Sequence, residues 1–227
     1  MNTGYSIYIL FLWGMVLCGC SVNTHVTGGS LINLKTGGIR TEQPVKTWVD
    51  FRDQNVVIQR YDYSCGAAAL ATIMRYYFGD DVTEEEILAR IIGPMTNKDL
   101  MDREKNGLSL LDLKTCAEQM GYQTAAVRLN YENIKLLKGP VLIHLVREGY
   151  RHFAVLKGSS GDRIYLADPS RGNIRMSVYR FAEEWSGVAL VLGKKDFGVP
   201  KSYPMALKDS ELEQNEILSA RKSLFVR

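Results

Sequence analysis

The spacing of hydrophobic and polar positions along this chain predicts helices first and strands afterwards. Residues 65–78 are apolar on nearly all sides, which is typical of a helix in the middle of a domain. Two capping boxes, Thr83 with Glu86 and Ser109 with Asp112, each precede apolar residues at helical spacing. They predict two further helices.

Short runs with the composition of strands follow these helices. They are residues 124–129, 141–146, 152–156, 163–167, 175–179 and 188–192, and an earlier run lies at 56–58. Because the helices come first and there is no βαβ alternation, we predict an α+β fold with an antiparallel sheet.

The amino terminus has the pattern of an export signal. Residues 1–19 contain no Lys, Arg, Asp or Glu, and their apolar run at 7–17 is shorter than the ~20 residues of a membrane-spanning helix. The run ends in LCGC at 17–20, which resembles a bacterial lipobox. The resemblance implies that a signal peptide of residues 1–19 is removed and that Cys20 carries a lipid. We therefore expect attachment to a bacterial membrane, namely the outer membrane facing the periplasm; an uncleaved anchor or a buried core helix is the alternative.

The rest of the chain divides into three parts. Residues 20–47 are rich in Gly, Thr, Ser and Asn without periodicity, which predicts a flexible tether. Residues 48–193 contain the predicted elements of the folded domain. Residues 194–227 are polar, and we predict a helix in this extension from Ser210 to Phe225.

Composition excludes several classes of protein. With 227 residues, 46% of them hydrophobic, the chain is not a disordered or repetitive polymer. A net charge of +3 with interspersed signs does not indicate a nucleic-acid-binding surface. Four cysteines are too few for a disulfide scaffold, and no spacing of ligand residues predicts a metal site. We expect no cofactor.

Cys65 is the candidate nucleophile. It lies where a loop ends and an apolar helix begins, and the positive end of a helix dipole favours a thiolate over a thiol. Gly66 removes a side chain beside the sulfur, which would let a substrate backbone approach closely. A buried structural cysteine is the alternative. So is a disulfide between Cys65 and Cys116, although Cys116 fits a core position of its own helix.

A cysteine nucleophile needs a base, and His152 is the best placed of the three histidines. His25 lies in the predicted tether, and His144 fits the interior of a strand. Residues 152–156 and 163–168 flank a predicted four-residue turn at 158–161, which brings His152 close to Asp168 on the neighbouring strand. The carboxylate could then accept the Nδ1–H of the ring and orient it, although Asp168 also fits ordinary turn chemistry.

Around these residues the chain resembles the C39-type peptidase family, a papain-like fold that cleaves double-glycine leader peptides. The resemblance is carried by QRYDYSCG at 59–66 and continues through 107–109, 152–155, 167–169 and 181–185, in the family's order and spacing. It implies that Cys65 is the nucleophile, His152 the general base and acid, and Asp168 its orienting partner. It also implies that Gln59 donates a hydrogen bond to the oxyanion.

We therefore predict a cysteine peptidase that processes an exported polypeptide in the cell envelope, for a secretion or fibre-assembly system. It would contact the membrane through the lipid on Cys20 and would not bind nucleic acid. One alternative is a non-catalytic C39-like module that binds leader or unfolded segments of a secreted protein. Another is a papain-like peptidoglycan hydrolase, but these commonly have a second histidine, and no histidine follows His152.

Overall fold

The structure is a computed structural model that describes residues 30–36, 39–147 and 149–208. Within these ranges the strands are β1 (Ser30–Thr36), β2 (Ile39–Val45), β3 (Gln123–Arg128), β4 (Val141–Arg147), β5 (Tyr150–Ser160), β6 (Arg163–Asp168), β7 (Gly172–Ser177) and β8 (Trp185–Gly193). The helices are α1 (Trp48–Arg52), α2 (Cys65–Tyr76), α3 (Glu84–Ile92), α4 (Asn97–Asn106), α5 (Leu110–Gln119), α6 (Tyr131–Ile134) and α7 (Val178–Glu184).

Six of these strands form one antiparallel sheet in the order β3-β8-β4-β5-β6-β7. Alternate residues of β5 face opposite sides: Phe153 and Val155 pack with α2, α3 and α5, whereas Ala154 and Leu156 pack with Phe181 of α7. The sheet therefore has an apolar core on each face, and the α+β prediction is confirmed. None of the described helices is long and apolar enough to cross a lipid bilayer.

The predicted helices begin where their caps place them. Both capping boxes are formed, and α3 and α5 start directly after Thr83 and Ser109. Helix α2 has ten buried residues, from Cys65 to Met74. The apolar run thus forms the central helix that the sequence predicted, and it carries Cys65 at its first position.

The structure corrects two predictions near the start of the domain. Residues 56–58 do not form a strand, because the backbone N–H of Val57 donates to Thr72 Oγ1 (3.0 Å) and not to a neighbouring strand. Part of the predicted flexible tether forms regular secondary structure, since β1 and β2 pair as an antiparallel hairpin. The rest of that prediction, with the signal peptide and the lipid on Cys20, lies outside the described residues.

Further differences concern short helices and the carboxyl end. The strand predicted at 175–179 ends at Ser177, because the Ser177 side chain caps α7. Beyond β8, Phe197, Tyr203 and Met205 pack on the core beside α2, so the first part of the predicted extension belongs to the folded domain. The helix predicted from Ser210 to Phe225 lies outside the described residues.

Candidate active site

Cys65 begins α2 at the edge of a cavity. Cys65 is only 4% exposed, yet it lines a cavity of about 200 Å³. Asp62, Tyr63 and Tyr150 also line this cavity. Ser64 precedes it as the N-cap but makes no side-chain bond to the helix; its hydroxyl donates to the Tyr61 carbonyl instead (2.8 Å). The first N–H groups of α2 are therefore not capped by Ser64, and the sulfur lies at the positive end of the helix dipole.

Two buried side chains fix the segment that leads into Cys65. Glu84, at the start of α3, is 2% exposed, and both its carboxylate oxygens accept the Arg60 backbone N–H (3.1 and 3.2 Å). Thr72 accepts the N–H of Val57, as described above. The loop is thus attached to α3 at one point and to α2 at another, which limits where Cys65 can lie.

His152 and Asp168 form a buried pair on neighbouring strands. His152 Nε2 lies 2.9 Å from Asp168 Oδ1, and the two residues are 7% and 0% exposed. The sequence prediction of a close pair is confirmed, but the nitrogen is different, because Nε2 and not Nδ1 contacts the carboxylate. Nδ1 is buried without a hydrogen bond in the described structure.

The Asp168 carboxylate is held from several directions. Oδ1 also accepts from Ser170 through its backbone N–H (2.9 Å) and its hydroxyl (2.8 Å), and from the Arg171 backbone N–H (3.2 Å). Oδ2 accepts from Arg171 Nε (2.8 Å) and Nη2 (2.7 Å). The Asp168 side chain therefore both stabilises the turn and orients the ring of His152.

The pKa values of this pair move apart. Burial lowers the pKa of His152, but the hydrogen bond and charge of Asp168, together with the charge of Cys65, outweigh it and raise the pKa to about 9. Burial favours a higher pKa for Asp168, yet His152, Arg171 and Ser170 hold it well below its usual range. An imidazolium beside a carboxylate is therefore the stable state at neutral pH.

Cys65 and His152 interact with each other. The charge of the Cys65 side chain helps to raise the pKa of the imidazole, although no hydrogen bond joins Nδ1 to the sulfur in the described structure. Since Nε2 is occupied by Asp168, Nδ1 is the nitrogen available to the sulfur. The chain thus brings together a thiol, an imidazole and a carboxylate, which is the set of groups that cysteine-based acyl transfer requires.

Gln59 already has one hydrogen-bond partner, and Gly66 does not leave the room that was expected beside it. The Gln59 amide donates to the Tyr61 carbonyl (2.9 Å), and its Oε1 is buried without a partner in the described structure. The space beside Gly66 is filled, because an added Cβ would lie 2.8 Å from Leu113 and 3.1 Å from Phe153. Gly66 thus permits close packing of α2, and the structure gives no sign that it leaves room for a substrate.

Cys116 and His144 have contacts of their own outside this set of groups. Cys65 and Cys116 are both free, so the alternative of a disulfide between them is not formed. The Cys116 sulfur is near the Ile87 carbonyl (4.0 Å) and the Met120 sulfur (3.9 Å), which is a core position. Cys20 and His25 lie outside the described residues. His144 is half-buried with Nδ1 near Ser186 Oγ (3.3 Å).

The sequence reasoning missed three residues of the site. Arg171 and Ser170 hold Asp168, and the Asp-Pro turn that contains them was the available signal. Tyr150 was missed too: its hydroxyl donates to the Asp62 carbonyl (3.3 Å) and its ring stacks 6.1 Å from that of His152. Only the folded hairpin reveals this position.

Comparisons with known proteins bear on the family and the fold of this chain. The sequence model of the Peptidase C39 family matches residues 53–196. The probable functional amyloid protease FapD of Pseudomonas fluorescens is 33% identical over 187 residues, which are 82% of this chain and 77% of that protein. FapD of Pseudomonas aeruginosa is 32% identical over 192 residues, 84% and 79% of the two chains. The peptidase domain of Streptococcus ComA shares the fold, with a TM-score of 0.52 and 23% identity over 62% of this chain and 98% of that domain. The papain-like fold prediction is confirmed.

Proposed function

Because the chain belongs to the Peptidase C39 family and is a cysteine peptidase, we propose that Cys65, His152 and Asp168 cleave peptide bonds in an exported polypeptide. The observation that carries this proposal is the buried hydrogen bond of 2.9 Å between His152 and Asp168, next to the free thiol of Cys65.

In the proposed mechanism, the Cys65 thiolate attacks the carbonyl carbon of the scissile bond, and the electron pair of the C=O bond moves to oxygen. The Gln59 amide and the Cys65 backbone N–H donate to this oxyanion. One Gln59 N–H already donates to Tyr61, and the second N–H of the same amide supplies this donor.

The His152 imidazolium then transfers its proton to the leaving nitrogen, the C–N bond breaks and a thioester remains on Cys65. A water molecule gives a proton to His152 and attacks the thioester, which releases the acid and restores the thiolate. A His152 pKa of about 9 supports this role, because the ring carries the required proton at neutral pH. Asp168 holds the ring in place and stabilises its charge.

The relatives support a class of substrate. The two Pseudomonas proteins are named probable functional amyloid proteases, and we propose that this chain likewise processes an exported polypeptide for a fibre-assembly or secretion system. The lipobox-like residues 17–20 support a lipid on Cys20 that attaches the enzyme to the outer membrane, facing the periplasm.

Cleavage of exported polypeptides by the full-length protein tests the function. Secreted and envelope proteins of a bacterium are denatured, their amino groups are blocked, and new amino termini are identified by mass spectrometry. We expect fragments with the native protein and with the control Cys116→Ala, and none with Cys65→Ala or His152→Ala. Equal fragments from Cys65→Ala, or no fragments from the folded native protein, would contradict a hydrolytic role and support a binding module.

A further inference from the structure

A second cavity adjoins His152, separate from the one at Cys65. It has a volume of about 180 Å³. Leu145 and His152 form its buried wall, with 2% and 7% exposure. Arg147 and Arg171 lie at its solvent side, where their side chains are 51% and 37% exposed.

Tyr150 connects the two cavities. It lines both, and its ring stacks on that of His152. The Cys65 cavity and the His152 cavity thus lie on either side of a shared residue, with the sulfur at the first and the imidazole at the second. A peptide long enough to pass Tyr150 would occupy both.

The direction of the peptide follows from proton transfer. A general acid must lie within hydrogen-bond reach of the nitrogen that it protonates, so the leaving part of the substrate departs past His152. We propose that the His152 cavity binds the side chain of the residue that directly follows the cleaved bond, and that it takes an aliphatic side chain such as that of Leu, Ile, Val or Met. This inference rests on the proposed peptidase function.

The lining supports an aliphatic occupant and excludes a cationic one. Leu145 and the ring of Tyr150 give the cavity apolar surface, and an aliphatic side chain that packs against them is removed from water. The buried carboxylate of Glu184 is already paired with Arg180 (2.8 Å) and lies 3.9 Å from Arg147. A substrate Lys or Arg would therefore meet Arg147 without a free carboxylate as its partner.

The test uses the new amino termini released from the blocked envelope proteins, since the first residue of each is the one that follows the cleaved bond. Full burial of a Leu side chain predicts an enrichment of Leu, Ile, Val and Met over Gly of roughly 10- to 100-fold. Lys and Arg should be depleted. A flat distribution, or a strict requirement for Gly or Ala at this position, would overturn the inference while leaving the peptidase function standing.

A charge reversal provides the matched variant. Arg147→Glu should raise cleavage before Lys and Arg by about tenfold, because the cavity then offers a carboxylate. The control is Arg128→Glu, which makes the same change at an exposed residue that ends β3, and it should leave the preference unaltered. An identical preference in the native protein and Arg147→Glu would contradict the assignment. Absence of any released fragment would overturn the proposed hydrolysis, and this inference with it.

Discussion

Replacing Asp168 by Asn removes a buried negative charge while nearly preserving the shape of the side chain. The carboxylate is 0% exposed and accepts from His152, Ser170 and Arg171. An amide keeps one oxygen acceptor, and its NH₂ group faces donors that need an acceptor. We expect the variant to fold with lower stability and to lose most of its activity, because the ring of His152 is no longer held and its charge is no longer stabilised.

The expected loss in the free energy of unfolding follows from the pKa of His152. A folded-state pKa of about 9, against 6.5 for an ordinary histidine, corresponds to about 3 kcal/mol of stabilisation. Because the folded pKa lies above the unfolded one, this contribution is complete below pH 6.5 and is lost as the pH rises through about 9. Removing one partner of a buried charge pair costs about 3–5 kcal/mol, so we expect a loss of that size for Asp168→Asn at pH 7 and a clearly smaller loss at pH 10.

Guanidinium unfolding at pH 6, 7, 8, 9 and 10 measures this difference by linear extrapolation. The matched control is Asp162→Asn, since the Asp162 side chain is 67% exposed and pairs with Arg163 at 3.4 Å. It should change the unfolding free energy by less than about 0.5 kcal/mol at every pH. A stability difference between native and Asp168→Asn that stays constant from pH 6 to 10 would refute the coupling of His152 to Asp168.

Three further substitutions test the surroundings of Cys65. Gln59→Ala should lower kcat by about 10²-fold with little change in KM, as for a lost oxyanion donor; a change below threefold in steady-state kinetics would exclude that role. Glu84→Gln weakens the buried acceptor of the loop and should cost about 1–3 kcal/mol in denaturant unfolding and slow alkylation of the nucleophile. The control Glu132→Gln, at a side chain that is 73% exposed and pairs with Lys135, should do neither, and equal effects of the two would contradict the assignment. Gly66→Ala places a Cβ 2.8 Å from Leu113 and should destabilise by about 1–3 kcal/mol. The double variant Gly66→Ala with Leu113→Ala should lose less stability than the sum of the two single losses, and strictly additive losses would argue against direct overpacking.

The neighbourhood of His152 and Asp168 was predictable because a hairpin limits where its strands can meet. The predicted turn at 158–161 was wrong in detail: Ser160 pairs with Arg163, so the turn has two residues, and a bulge lies between Leu156 and Gly158. The predicted register would have placed the two side chains on opposite faces. In the structure Val155 pairs with Ala167, so residues 152 and 168 share a face. Turn type and bulge depend on backbone geometry that the residue pattern did not reveal.

Other features could not be read from hydrophobic spacing. Helix α4 has no buried residues, so it leaves no apolar periodicity, and its cap at Thr96 was the only local signal. The extended run at 56–58 has the composition of a strand. Its backbone N–H at Val57 donates instead to the side chain of Thr72, and the backbone N–H of Gln59 donates to the Pro169 carbonyl, far away in the sequence. The ring nitrogen that faces Asp168 depends on a side-chain rotation, which a sequence does not encode locally.

Alkylation of Cys65 by iodoacetamide from pH 5 to 10, followed by mass spectrometry of its peptide, tests most directly whether the sulfur works with the imidazole. In the native protein we predict faster labelling at about pH 6 to 8 than in His152→Ala, because the imidazolium of His152, whose pKa is about 9, stabilises a negative charge on the sulfur. Cys116, whose pKa is raised by burial, should stay unlabelled in both folded proteins. The same pH profile for Cys65 with and without His152 would contradict the account.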